Sequence, residues 1–172
     1  MEKIKAYIMG EIISSNSSEA HALYKKSCFG EPSEEKIQYS LSESLFLVEK
    51  NKIEIFSGNK KISKNDLMKK LTRIDKKMQI KYAVFKDLRE KGYVVKTALK
   101  FGAEFRVYDK GAKPGNKHAK WIVFTDHESR KLTWHEFSAK NRIAHSTKKN
   151  LLLAIVDEEG DITYYEVKWV KP

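Results

Sequence analysis

Apolar positions along this chain follow two different periods, and each change of period marks a new element. Alternation from Lys5 to Ile13 predicts a strand that runs into a turn, and the polar stretch from Ser14 to Ser18 predicts a loop. Ser40 and Glu43 stand at capping-box spacing ahead of Leu45, Phe46 and Val48, which predicts a short apolar helix. Lys52 to Phe56 alternates as a strand does and stops at Ser57, Gly58 and Asn59. Ser63 and Asp66 then cap a second helix. From Lys77 to Lys91 the residues Ile80, Ala83, Val84 and Leu88 recur at helical spacing, and Gly92 suits the position just past a helix end. Strands are predicted at Tyr93 to Thr97, Phe105 to Tyr108 and Trp121 to Thr125. Thr133 and Glu136 form another capping box, opening a helix that runs to about His145. Leu151 to Val156 is continuously apolar, the pattern of a strand buried on both faces. A tight acidic turn from Asp157 to Asp161 leads into Ile162 to Val170, which completes a terminal hairpin.

The change of character near residues 75–80 divides the chain into an N-terminal α/β domain, 1–75, and a C-terminal α/β domain with a mixed sheet, 76–172. An apolar fraction of 41% supports real cores. Charge then narrows the partners. The 34 Lys and Arg against 23 Asp and Glu leave +11, an excess that opposes compaction and favours a polyanion, either nucleic acid or an anionic membrane. No apolar run approaches roughly 20 residues, and Met1 to Gly10 lacks a signal-peptide core, so a soluble cytoplasmic protein is expected. The single cysteine, Cys28, excludes an internal disulfide and a zinc site of paired thiols, and is expected as a small buried residue.

Several chemistries find no support in the residues. There is no Gly-rich phosphate loop and no helical His-Glu-x-x-His. Asp126 and Glu128 could serve a metal nuclease but lack a third carboxylate at a telling position, so neither metal nor cofactor is expected. Two basic segments remain. In the first, a strand ends at Tyr108, a loop follows with Gly111, Pro114 and Gly115, and His118 leads toward the next strand, with Lys110, Lys113, Lys117 and Lys120 around them. The second, Asn141 to Asn150, joins the capped helix to the buried strand. Either segment alone reads equally as a solvated lysine-rich turn or a cationic helix end. Together they supply the groups for metal-free cleavage of RNA. The ribose 2′-OH must lose a proton, the 5′-oxygen must gain one, and charge on the phosphoryl oxygens needs a fixed cation. Imidazole suits the acid, lysine suits the cation, and neighbouring lysines favour a phenolate base.

Tyr108-x-x-Gly111-x-x-Pro114-x-x-x-His118, the stretch Arg142-Ile143-Ala144-His145-Ser146-x-x-Lys149, and Leu151 to Asp161 followed by Tyr164 and Tyr165 resemble the archaeal tRNA-intron endonucleases. The resemblance covers roughly residues 80–172. It implies a catalytic domain of the restriction-endonuclease-like α/β type that has lost its metal carboxylates. It further implies intron excision from precursor tRNA at a bulge-helix-bulge without metal, leaving a 2′,3′-cyclic phosphate and a 5′-hydroxyl. Tyr108 takes the place of the family's general base, His118 of its acid and Lys149, rather than Lys148, of its cation. Arg142 corresponds to the arginine that clamps a bulged base, and Trp169 is offered as its partner across that base, with a hairpin-core role as the alternative. The acidic loop Asp157, Glu158, Glu159 and Asp161 corresponds to one that docks on a neighbouring subunit. A homotetramer is therefore expected, with a second kind of endonuclease subunit as the variant. The rival functions are a non-catalytic RNA-positioning subunit, an RNA-binding module and a metal-dependent nuclease.

Overall fold

The computed structural model describes residues 2–172. It divides into two compact units, one through Tyr82 and the other from Ala83 to Pro172.

The first unit carries a six-stranded sheet in the order β3-β4-β2-β1-β5-β6, in which only β1 and β5 run parallel. The alternation from Lys5 to Ile13 resolves into two strands, β1 (Ile4–Met9) and β2 (Ile12–Ser15), because the chain turns at Gly10 and Glu11. The stretch Ser14 to Ser18, expected as a loop, instead ends β2 and opens helix α1 (Ser18–Ser27) with Ser17 as its cap. This helix escaped the sequence reading because its buried stripe is only Ala20 and Leu23. The hairpin β3 (Glu31–Ser33) and β4 (Lys36–Tyr39) was likewise not foreseen. Helix α2 (Leu41–Glu49) has the expected capping box, and the buried Glu43 extends it. One carboxylate oxygen accepts from Ser40 N at 2.9 Å and the other from Gly30 N at 3.0 Å. Strands β5 (Ile53–Ser57) and β6 (Lys60–Lys61) and helix α3 (Lys64–Ile74), capped by Ser63, complete the unit. Cys28 is buried, as expected, at the end of α1.

The second unit is a five-stranded sheet in the order β11-β10-β9-β8-β7. Helix α4 (Met78–Glu90) leads into β7 (Val94–Ala98), a 3₁₀ turn, and β8 (Ala103–Tyr108). Then come β9 (Trp121–His127), α5 (Trp134–Ser146), β10 (Asn150–Val156) and β11 (Ile162–Val167). The sheet is mixed: β9 and β10 run parallel, as a strand-helix-strand crossover through α5 requires, and the other pairs run antiparallel. One face packs Phe105 against Phe85 of α4, with ring centroids 5.8 Å apart. On the other face Ile122, Phe124 and Leu151 meet Ala144 and Ile143 of α5. Two expectations are corrected. Strand β10 is not buried on both faces throughout, since Leu153 and Ile155 remain half-covered where α5 leaves the sheet open. Strand β11 stops at Val167, because its partner β10 begins at Asn150 and offers no register beyond the Leu151–Val167 pair.

Candidate active site

Side chains alternate along a strand, so Arg106 and Tyr108 share one face of β8. Arg106 pairs with Ile122, and Ile122 with Leu151, which puts all three in one row on the α5 face of the sheet. Lys149 lies two residues before Leu151, at the end of that row nearest the close of β8.

The backbone of Lys149 is fixed by the way α5 ends. Lys149 N donates to Ala144 O at 2.9 Å and Lys148 N to His145 O at 3.0 Å, the paired bonds of a Schellman motif. Lys148 takes the left-handed position, φ 56°, that glycine usually fills there. Thr147 donates its hydroxyl back to Ile143 O and Ala144 O. The two adjacent lysines therefore diverge: Lys148 is exposed, whereas Lys149 is half-buried and turns into the sheet end. Its Nζ donates to Thr147 O at 2.7 Å and lies 5.7 Å from the centroid of the Phe101 ring. Burial, and then the positive charge of Arg106, push the Lys149 ammonium below the usual lysine range.

The loop after β8 is folded. Ala112 N donates to Asp109 O, and Asn116 N and Lys117 N both donate to Lys113 O. Ala112 and Ala119 are buried and anchor it, and Lys120 N returns to Val107 O at 2.8 Å. Between the anchors, His118 is exposed to solvent, while Tyr108 below it is 5% exposed.

Tyr108, His118 and Lys149 thus line a single cavity of about 270 Å³, together with Phe101, Arg106 and the loop residues Gly115 to Ala119. The sequence reading had named three of these residues. It missed Arg106, although the residue two before Tyr108 on an alternating strand was a signal that it faces the same way. A phenol, an imidazole and two cations around one space are suited to proton transfer at a bound phosphodiester.

Arg142 and Trp169 do not line this cavity. Arg142 is exposed on α5, one turn before His145. The Trp169 ring lies 4.8 Å from the His145 ring and is 58% exposed beyond the end of β11, so it is no hairpin-core residue. Asp157 to Asp161 form the turn between β10 and β11. Asp157 closes it by accepting from Asp161 N at 2.8 Å, and Glu158 and Glu159 are exposed at its tip. Among the described residues, no group of three His, Cys, Asp or Glu is arranged to hold a metal ion, and no helix is long and apolar enough to cross a membrane.

Residues 78–164 match the model of the tRNA intron endonuclease catalytic C-terminal domain, and residues 5–68 that of the tRNA intron endonuclease N-terminal domain. The mixed α/β domain holding the cavity is thus the catalytic domain of an endonuclease, preceded by a second α/β domain. The chain is 41% identical over 166 residues to a tRNA-splicing endonuclease of Thermococcus kodakarensis, covering 96% of this chain and 97% of the relative. It is 40% identical over 169 residues to that of Pyrococcus horikoshii, covering 98% and 97%. Against that of Nanoarchaeum equitans it is 42% identical over 138 residues, covering 77% and 88%. The chain belongs to the tRNA intron endonuclease family, and it is an enzyme of tRNA splicing.

Proposed function

We propose that this enzyme cuts precursor tRNA at the two bulges of a bulge-helix-bulge without metal, leaving a 2′,3′-cyclic phosphate and a 5′-hydroxyl. The observation that carries the reading is the shared cavity of Tyr108, His118 and Lys149. Tyr108, as the phenolate, takes the proton of the ribose 2′-OH. The 2′-oxygen attacks the adjacent phosphorus, and the bond from phosphorus to the 5′-oxygen breaks as His118 gives that oxygen a proton. Lys149 holds the charge on the phosphoryl oxygens, and its cradle against Thr147 fixes its reach. The exposure of His118 fits a group that meets a large substrate from the open side.

The same reading assigns the surrounding surface. Arg142 and Trp169 hold the bulged base, Arg142 by its cation and Trp169 by its exposed ring. The knob of Asp157, Glu158, Glu159 and Asp161 docks on a neighbouring subunit, and the free edge of β11 pairs with a second copy. Four copies then form a homotetramer in which two opposed units cut, with residues 76–172 of each chain as the catalytic domain and 1–75 as the N-terminal domain.

One assay tests the chemistry. A labelled bulge-helix-bulge RNA is incubated with the protein alone in excess chelator, and the ends are analysed. Cyclic phosphate and 5′-hydroxyl ends are expected. Binding without cleavage points to an RNA-positioning subunit, which needs a second endonuclease subunit to cut, or to a plain RNA-binding module. Inhibition by the chelator points to metal.

A further inference from the structure

Arg106 has no part in the cleavage scheme above, yet it stands inside the cavity that scheme uses. Its strand, β8, is flanked on both sides by β7 and β9, so its backbone is held by two ladders. It shares a face with Tyr108 and a cavity wall with Lys149 and His118. It is also near enough to Lys149 for its charge to be felt there. Two positive charges brought to one partly buried space repel each other, a costly arrangement for an empty site and a suitable one for a doubly charged guest.

The proposed reaction supplies such a guest at one moment only. The phosphodiester arrives with one negative charge. When the 2′-OH proton passes to Tyr108 and the oxygen–phosphorus bond forms, a second charge builds on the non-bridging oxygens. It leaves as the bond to the 5′-oxygen breaks and that oxygen takes the His118 proton. A single lysine matches the ground state, and a second cation matches the charge that exists only in transit, so its contribution falls on rate more than on binding. We infer that Arg106 is a catalytic residue whose guanidinium fork takes the non-bridging phosphoryl oxygens beside Lys149, completing a two-cation cradle for the transition state. This inference rests on the reading of the cavity as an RNA-cleaving site.

The test uses the full-length protein, a bulge-helix-bulge RNA, and the same RNA with 2′-deoxyribose at the cleavage positions to read binding alone. Arg106→Gln is expected to lower the single-turnover rate at saturating RNA by about 10²–10³-fold. Affinity for the deoxy RNA should change by less than about tenfold, the ground-state effect of losing one phosphate contact. Arg106→Lys, which keeps the charge and loses the fork, is expected to cut about tenfold slower than wild type. Circular dichroism reports whether each variant folds. If Arg106→Gln does not fold, the folded Arg106→Lys variant decides, and a wild-type rate there overturns the fork. A wild-type rate in Arg106→Gln, or a loss confined to binding, overturns the inference while leaving the function intact. A wild type that binds the RNA and does not cut it overturns the proposed function, and this inference falls with it.

Discussion

His118 is exposed on a loop, whereas Tyr108 is buried in the sheet, so the two differ as targets for substitution. His118→Ala removes a proton donor and no packing. It is expected to slow cleavage by about 10²–10⁴-fold with RNA affinity near normal, measured by single-turnover kinetics and filter binding. Full activity in that variant would remove His118 from the acid role. Tyr108→Phe keeps the ring and tests the hydroxyl alone. Lys149 has a signature of its own. Burial and Arg106 both disfavour its charged form, so its ammonium should lose its proton at a pH below the 10.5 of an ordinary lysine. Removing the Arg106 charge should move that titration upward, which NMR of labelled lysine side chains can follow. No change on Arg106→Gln would mean that the two charges do not sense each other. In the N-terminal unit, Gly30 is the most constrained residue. It has φ +77°, and an added Cβ would lie 2.3 Å from Cγ2 of the fully buried Ile37. Gly30→Ala should destabilise the protein by about 2–4 kcal/mol in urea unfolding, from backbone strain plus overpacking. At Gly10, φ +61° with open space around it, the same change should cost only about 1 kcal/mol.

At the scale of elements, α5 ties the fold to the site. Its first turn is closed by the reciprocal bonds of Thr133 and Glu136, its inner face packs Ala144 into the core, and its last turn delivers Lys149. The weak point is Lys148, a residue with a side chain where the Schellman turn favours glycine. Lys148→Gly should raise stability by about 0.5–1 kcal/mol and leave cleavage nearly unchanged, because the turn that aims Lys149 becomes easier to adopt. Lys148→Val should do the reverse, since a β-branched side chain resists the left-handed region. A destabilised Lys148→Gly protein would mean that the lysine side chain contributes more than its backbone costs. Both capped helices expected from sequence, α2 and α5, have the reciprocal box in place, because those bonds span only four residues and need no tertiary partner. Helix α1 and the β3–β4 hairpin were illegible for the opposite reason: their short, sparsely apolar segments form by packing and pairing within the first unit.

At the scale of the whole molecule, the +11 charge and the acidic loop lead to one prediction about assembly. In so basic a chain, Asp157, Glu158, Glu159 and Asp161 make a local negative knob, and the turn presents Glu158 and Glu159 outward. Two cleavage sites on one RNA require two active subunits at a fixed separation. The purified protein is expected to sediment at about 80 kDa, four times the 20.0 kDa chain. Neutralising the four acids should give folded dimers that no longer excise introns. A dimeric wild type would call for a second kind of subunit, and a tetrameric, active mutant would reduce the loop to a turn.

The sequence by itself determined what depends on short spans. These are the capped helices, the mixed α/β class, the family, and the identities of Tyr108, His118 and Lys149 from their spacing. Tertiary structure decided what depends on residues far apart in the chain. Only the register of β8, β9 and β10 aligns Arg106 with Leu151 across 45 positions of sequence, and only the left-handed turn at Lys148 separates two adjacent lysines into one exposed and one facing the cavity. The exposure of Trp169 was settled in the same way, by where β10 ceases to offer β11 a partner. Spacing along a chain is a local property, whereas the distance between two strands is set by the packing of everything between them.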